Sequence, residues 1–218
     1  MRIGVVLAGG ASSHQQVPAQ LRDSIALGDA LVVAADSGLD LAERLGIVAD
    51  IVVGDFDSVT PEALQRARDS GSEVRQHPTA KDETDLELAL AVVRDAGVER
   101  IVVLGGAGGR LDHLLANIAA IARPTITVPI EAWLGTELFV VVDHRWSECL
   151  SDGTIISVIP WNGPATVSEA GVRWPLDHHV LAAGATQGIS NESLGGLVEI
   201  TVHDGRCIVV VPDAKELS

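Results

Sequence analysis

Aspartates recur in four short motifs of this 218-residue chain. They read V-V-A-A-D-S-G around Asp36, I-V-V-G-D-F-D-S around Asp55 and Asp57, K-D-E-T-D ending at Asp85, and G-G-R-L-D-H around Asp112. Three of them directly follow apolar β-branched runs, and helix-like sequence follows all four. In an open parallel sheet, ligands bind outside the carboxyl ends of the strands. Carboxylates gathered there repel one another unless a cation lies among them. The pattern implies a cation and an anionic ligand.

Each motif also has an ordinary structural reading. In G-D-F-D-S, residues 54–58, a strand ends in D-x-D. That places two carboxylates together at the ligand edge and suits Mg²⁺, a hard cation often held by one or two carboxylates plus substrate phosphates. The same residues could simply form an Asx-type turn before a helix opened by Pro61. In K-D-E-T-D, Asp82 or Thr84 could cap a helix, with Asp85 favourable in its first turn. Capping does not explain Lys81, one of two lysines in the chain with Lys215. A lysine there supplies a point charge for phosphate. G-G-A-G-G-R-L-D-H, residues 105–113, joins a glycine-rich turn to a helix start, where exposed N–H groups favour anions. It lacks the P-loop pattern, but Arg110 could bind phosphate through two parallel bonds. G-I-S-N-E, residues 188–192, alone reads as a polar loop.

The elements that carry these motifs change in texture along the chain. Strand-like runs at residues 2–8, 31–35, 51–53, 73–76 and 101–104 alternate with helix-like segments at 19–27, 39–45, 61–69, 84–96 and 111–121. This rhythm predicts βαβ units and a mostly parallel sheet. After Pro124 come short apolar runs at 125–128, 139–142, 155–159, 197–202 and 207–211. Asp152-Gly153, Asn162-Gly163 and Asp204-Gly205 read as hairpin-type dipeptides. The expected fold is an N-terminal, mostly parallel α/β (Rossmann-like) domain over residues 1–123, followed by a C-terminal β-sandwich over residues 124–218.

Bulk composition narrows the function. A formal charge of −15 argues against a nucleic-acid partner. No apolar run reaches the roughly 18–20 residues of a membrane span. The N-terminal apolar stretch breaks at Gly9-Gly10 and reads as a strand rather than a signal segment, so a cytoplasmic protein is expected. Cys149 and Cys207 form no C-x-x-C and read as small buried residues.

Taken in order, the motifs resemble those of the thiamine pyrophosphokinase family. The resemblance runs through A-D-S-G, G-I-V-A-D-I-V-V-G-D-F-D-S-V, K-D-E-T-D-L-E-L-A-L, G-G-R-L-D-H-L-L-A-N, G-V-R-W-P-L and G-I-S-N-E. It implies a catalytic α/β domain that binds ATP and Mg²⁺, a thiamine-binding β-sandwich, and a homodimer with its sites between subunits. The implied reaction moves a diphosphoryl group from ATP to thiamine, giving thiamine diphosphate and AMP. The resemblance matches Asp55, Asp57 and Asp85 to metal ligands. It places Asp36, Lys81, Thr84 and Arg110 around the nucleotide and its phosphates, and Asp85 or Asp112 at the reacting hydroxyl. Trp174, Ser190 and Asn191 match thiamine-binding positions.

Two departures stand out. Ser37 replaces a more usual glycine, and residues 129–150, with Trp133 and Trp146, match no motif. Other readings are a diphosphotransferase acting on another small alcohol and a non-catalytic thiamine- or nucleotide-binding sensor. D-F-D-S-V also fits the D-x-D-x-[TV] pattern of haloacid-dehalogenase-type phosphatases, but it follows the third expected strand rather than the first.

Overall fold

The computed structural model describes residues 2–10, 15, 17–214 and 217. The chain forms two compact units, Met1–Thr136 with Lys215–Ser218, and Glu137–Ala214. No helix among the described residues is long and apolar enough to cross a membrane.

The first unit alternates strictly between strand and helix. Its strands are β1 (Ile3–Ala8), β2 (Ala30–Ala35), β3 (Ile51–Gly54), β4 (Glu73–Gln76), β5 (Arg100–Gly105) and β6 (Ile130–Leu134). They pair in parallel in the order β6-β5-β1-β2-β3-β4. The order reverses between β1 and β5, the kind of point where α/β sheets bind ligands. Every residue of β1 is buried, as expected for a strand covered on both faces. The helices are α1 (Ala19–Ala26), α2 (Gly38–Leu45), α3 (Pro61–Asp69), α4 (Asp85–Asp95) and α5 (Leu111–Ile121).

Local chemistry fixes the helix ends near the motifs. Thr60 caps α3 by accepting the Ala63 N–H, with Pro61 in the first turn. Thr84 caps α4, and Thr84 and Glu87 satisfy each other's main-chain donors in a capping box. Gly46 closes α2 in the left-handed conformation. Gly38 is required by a close approach, because a Cβ there would lie 1.9 Å from the Leu7 carbonyl oxygen.

The expected strand at residues 125–128 does not form. That stretch is turn and coil, with Ile126 buried. The chain instead enters β6 at Ile130, and β6 extends the parallel sheet beside β5. A boundary at Pro124 therefore omits one strand that belongs with the first unit.

The second unit is all β: β7 (Glu137–Val142), β8 (Arg145–Pro160), β9 (Ala165–Ala170), β10 (Leu176–Leu181), β11 (Asn191–Asp204) and β12 (Cys207–Val211). The order is β10-β9-β11-β8-β12-β7, all antiparallel. Sixteen-residue β8 serves two sheets. Its first part pairs with β11, and its end pairs with β12. The sandwich core includes Ile156, Val158, Val167, Leu181, Val198, Ile200 and Val209.

Two strands, β9 and β10, were not expected, because polar residues dilute their alternation. None of the three expected hairpin dipeptides joins strands that pair with each other. Asp152-Gly153 lies inside β8, where Asp152 faces Leu194 beside a register shift. Asn162-Gly163 and Asp204-Gly205 connect strands whose hydrogen bonds go to other neighbours. Cys207 is buried as expected, but Cys149 is exposed on β8.

Gly38→Ala should lower stability by about 1–3 kcal/mol, since the new methyl group must push apart α2 and β1. Thermal denaturation checks this; an unchanged melting temperature would show that the close approach is not rigid.

Candidate functional site

Three carboxylates converge at the carboxyl ends of β2 and β3. Asp36, Asp55 and Asp57 each offer an oxygen, and these oxygens lie within 4.8 Å of one another. Backbone geometry makes the convergence possible. Asp36 leaves β2 with φ 44°, in the left-handed region, while its N–H still donates to the Val53 carbonyl of β3 at 2.9 Å. Gly54 gives it room, because a Cβ there would lie 3.1 Å from the Asp36 Cβ.

Phe56, between the two aspartates, is also left-handed, with φ 62°. Its buried ring anchors the turn. The Asp57 N–H donates to Asp55 Oδ1 at 3.3 Å, and the Ser58 hydroxyl donates to Asp57 Oδ1 at 2.9 Å. The Asx-type turn expected of D-F-D-S forms, and it leaves both carboxylates at the carboxyl end of β3.

Electrostatics separates the three acids. Asp36 is 8% exposed, and its Oδ1 is buried without a hydrogen-bond partner among the described residues. Burial is the main cause that raises its pKa; the charges of Asp85 and Asp57 add to it, against hydrogen bonds from the Ser37 backbone and Ser58. Asp55 shifts the other way. The Asp57 N–H holds its carboxyl below the usual range, with Lys81 contributing further.

Lys81 supplies the local counter-charge. Its Nζ lies 3.4 Å from Asp55 Oδ2 and 3.1 Å from Asp85 Oδ1. Desolvation pulls the ammonium pKa down, but contacts with Asp85 and Asp55 outweigh it, and the net shift is upward. Asp85 Oδ1 is buried and makes no aligned hydrogen bond, even to that ammonium. The converging oxygen set thus contains Asp36, with Asp85 held across Lys81.

The remaining first-unit candidates have other partners. The Thr84 hydroxyl is committed to the α4 cap. Arg110 and Asp112 bind each other at 2.5 Å and are 73% and 61% exposed. The Arg110 hydrogen bond lowers the Asp112 pKa. A cleft at the ends of β1 and β5 is lined by Gly10, Gln15, Leu41, Arg44, Gly105 and Ala107. Gln15 is held there by its own bonds: its amide donates to the Trp133 carbonyl at 2.8 Å and accepts the Gly135 N–H at 3.2 Å. A Cβ on Gly9 would lie 2.0 Å from the Ser37 hydroxyl oxygen, so a larger residue there would require that hydroxyl to rotate away.

In the second unit, Trp174 occupies the loop between β9 and β10 and is 56% exposed. The Arg173 guanidinium lies 5.8 Å from its ring centroid and pairs with Glu192 at 2.9 Å. Asn191 is buried and clamps the Trp174 main chain: its Oδ1 accepts the Trp174 N–H at 3.1 Å, and its Nδ2 donates to the Trp174 carbonyl at 2.9 Å. Ser190 is left-handed, with φ 61°, and its N–H donates to the Ser157 hydroxyl at 3.0 Å. Glu169, which the sequence reading missed, lies 2% exposed beneath Asn191. Its only sequence signal is an acid at an inward position of β9, in register with Ala165 and Val167.

Comparison with known proteins matches both units. Residues 24–134 match the family model described as thiamin pyrophosphokinase, catalytic domain. Residues 143–207 match thiamin pyrophosphokinase, vitamin B1 binding domain. Thiamine pyrophosphokinase of Bacillus subtilis is 28% identical over 167 residues, which cover 74% of this chain and 78% of that protein. Thiamine pyrophosphokinase 1 of Oryza sativa is 27% identical over 159 residues, covering 68% and 60%. The crystal structure of the Bacillus subtilis protein superposes with a TM-score of 0.82 at 25% identity, over 97% of this chain and 98% of that one.

The raised Asp36 pKa gives a signed stability prediction. Between the unfolded and folded pKa values the native state binds the extra proton, so wild type loses stability as pH rises through that window. Asp36→Asn escapes this loss. In a chelator it should melt above wild type near pH 7, with the gap closing toward about pH 4, where an unfolded aspartate titrates. Calorimetry across pH measures it, and a gap that does not vary with pH contradicts the assignment.

Proposed function

The chain belongs to the thiamin pyrophosphokinase family, and on that premise we propose that it transfers a diphosphoryl group from ATP to the hydroxyethyl hydroxyl of thiamine. The products are thiamine diphosphate and AMP. The observation that carries the reading is the convergence of Asp36, Asp55 and Asp57 within the span that matches the catalytic domain.

The residues suit Mg²⁺. Hard carboxylate oxygens are its preferred protein ligands, and the buried Asp36 Oδ1, which has no hydrogen-bond partner among the described residues, is such a donor. Asp55 and Asp57 are the primary ligands in this reading, with Asp36 and Asp85 flanking them. When bound, the ion supplies Lewis-acid stabilisation of phosphate charge. Lys81 adds a fixed positive charge beside that set, and Arg110 offers an exposed guanidinium to phosphate. Thr84 acts through the cap that fixes Asp85 in the first turn of α4.

Diphosphoryl transfer of this kind leaves the protein mainly positioning and charge stabilisation. The thiamine hydroxyl attacks the β-phosphorus and AMP departs. Asp85 or Asp112 accepts the hydroxyl proton. Asp112 does so only after its bond to Arg110 opens, an exchange that phosphate binding at Arg110 would promote. Trp174 presents an exposed ring to thiamine, and a cation over it gains about 0.5–2 kcal/mol. Ser190 shapes the adjacent turn.

The finer fold reading, a Rossmann-like first unit, draws support from six parallel strands whose order reverses between β1 and β5. A homodimer with sites between subunits belongs to the same proposal. Its support is apolar exposure on the second unit: Ile155, Val180, Leu194 and Leu197. A cytoplasmic location, with ready access to ATP, completes the reading.

Incubation with ATP, Mg²⁺ and thiamine, followed by product identification, tests the reaction. AMP with thiamine diphosphate is expected; ADP with thiamine monophosphate means a simple kinase, and no turnover favours a sensor. Asp55→Asn should retain the fold and lower kcat at least about a hundredfold, on the scale of losing one electrostatic contact to the transition state. Wild-type rates in saturating Mg²⁺ would sink the metal assignment. Trp174→Ala should raise the thiamine KM about two- to thirtyfold with little change in the KM for ATP. Sedimentation should give a dimer that Leu197→Glu weakens.

A further inference from the structure

Asn191 has no hydrogen-bonding capacity left for a ligand. An amide side chain offers two donor hydrogens and two acceptor lone pairs. Here Nδ2 donates to the Trp174 carbonyl at 2.9 Å and to Glu169 Oε2 at 2.9 Å. Oδ1 accepts the N–H of Trp174 at 3.1 Å and of Glu192 at 2.9 Å. All four are protein contacts, and they fix the orientation of the amide, because the two main-chain N–H groups require the oxygen on their side.

The loop carrying Trp174 is otherwise tied to β11 by the main chain. The Arg173 N–H donates to the Glu192 carbonyl at 2.8 Å, and the Leu194 N–H donates to the Gly171 carbonyl at 3.0 Å. A bridge joins Val172 to Ser193. These bonds end one residue before Trp174. From there the Asn191 amide continues the ladder in place of backbone, and Glu169 holds that amide from below.

Glu169 is costly where it stands. It fills an inward position of β9 between the partners Leu176 and Ile200. Its Oε1 is buried and makes no hydrogen bond among the described residues. An aliphatic side chain would fill the same place without desolvating a carboxylate. Among the described residues, the one side-chain bond of Glu169 is to Asn191.

We propose that Glu169 is a positioning residue for the thiamine platform: its buried carboxylate fixes the Asn191 amide, and that amide fixes the main chain of Trp174. The proposal rests on Trp174 being that platform. It also reassigns Asn191, which acts through Trp174 rather than by touching thiamine. Without Glu169, one Asn191 N–H loses its acceptor in a buried setting, and the amide is no longer held from that side. The Trp174 ring then samples more orientations, and thiamine binding must select one of them.

Glu169→Met keeps much of the side-chain volume and removes the acceptor. Expected is an increase of about tenfold in the thiamine KM, the scale of one lost buried hydrogen bond. Both kcat and the KM for ATP should stay within about twofold. Without any substrate, hydrogen exchange at the Trp174 amide should quicken while the Val209 amide keeps its wild-type rate. Glu169→Gln, which can still present an oxygen to Asn191, should restore both readouts. If Glu169→Met does not fold, Glu169→Asp, which withdraws the acceptor by one methylene, carries the same expectation.

Unchanged exchange and an unchanged thiamine KM overturn the proposal. So does parallel loosening of Val209 with a changed KM for ATP, which would mark Glu169 as a general core residue. A wild-type protein that does not use thiamine overturns the functional reading itself. An active wild type that depends on Trp174 but not on Glu169 overturns only this inference.

Discussion

Repulsion among carboxylates at the ends of β2 and β3 is the constraint around which the first unit is arranged. Asp36, Asp55 and Asp57 bring oxygens within 4.8 Å of each other. Burial raises the proton affinity of Asp36, and the neighbouring charges of Asp85 and Asp57 add to it. Several local features hold the acids together against that force. Asp36 and Phe56 occupy left-handed backbone conformations. Gly54 lets the two strand ends approach, and the Phe56 ring anchors the turn between Asp55 and Asp57. Lys81 neutralises part of the charge from outside the triad. The parallel sheet below supplies rigidity, since fully buried β1 and the Gly38 contact leave α2 and β2 little freedom.

Such a site is poised rather than relaxed. Asp36 costs stability as it ionises, since burial raises its pKa. Converging carboxylate oxygens of this kind are the donors that a small, hard, doubly charged ion prefers. Lys81 limits the repulsion by pairing with Asp55 and Asp85. Because it contacts Asp55 and Asp85 rather than Asp36, the buried oxygen of Asp36 stays available.

The first unit was largely legible in the sequence because its signals are local. Caps at Thr60 and Thr84, the stop at Gly46 and the apolar face of α4 each act within a few residues. The boundaries of β4, α3 and α5 followed from such signals alone. The second unit was less legible because its strands are specified by distant partners. β9 carries Thr166, Ser168 and Glu169 among its six residues, and only pairing with β11 and β10 makes it a strand. Asp152-Gly153 has the composition of a hairpin turn, yet continued pairing with β11 carries β8 through it. Among the site residues, the D-x-D pair was visible as spacing. The entry of Asp36 into the same cluster was not, since it depends on a left-handed turn and on pairing between β2 and β3.

Residue type within a motif indicates what a side chain can do; its hydrogen-bonding capacity determines what remains for a ligand. Thr84 and Asn191 both belong to motifs that suggest direct contact with substrate. Thr84 spends its hydroxyl on Glu87, and Asn191 spends all four of its hydrogen bonds on Trp174, Glu192 and Glu169. Their chemistry is exhausted in fixing Asp85 at a helix start and Trp174 in a loop. Trp174 differs, since its ring is largely exposed and its main chain is the part held. On the proposed function, the second unit divides its work between an exposed aromatic surface for the ligand and a buried polar chain that holds the main chain beneath that surface. A buried carboxylate with one unpartnered oxygen is tolerable in that chain because the residue it orients has no second way to satisfy both of its N–H groups.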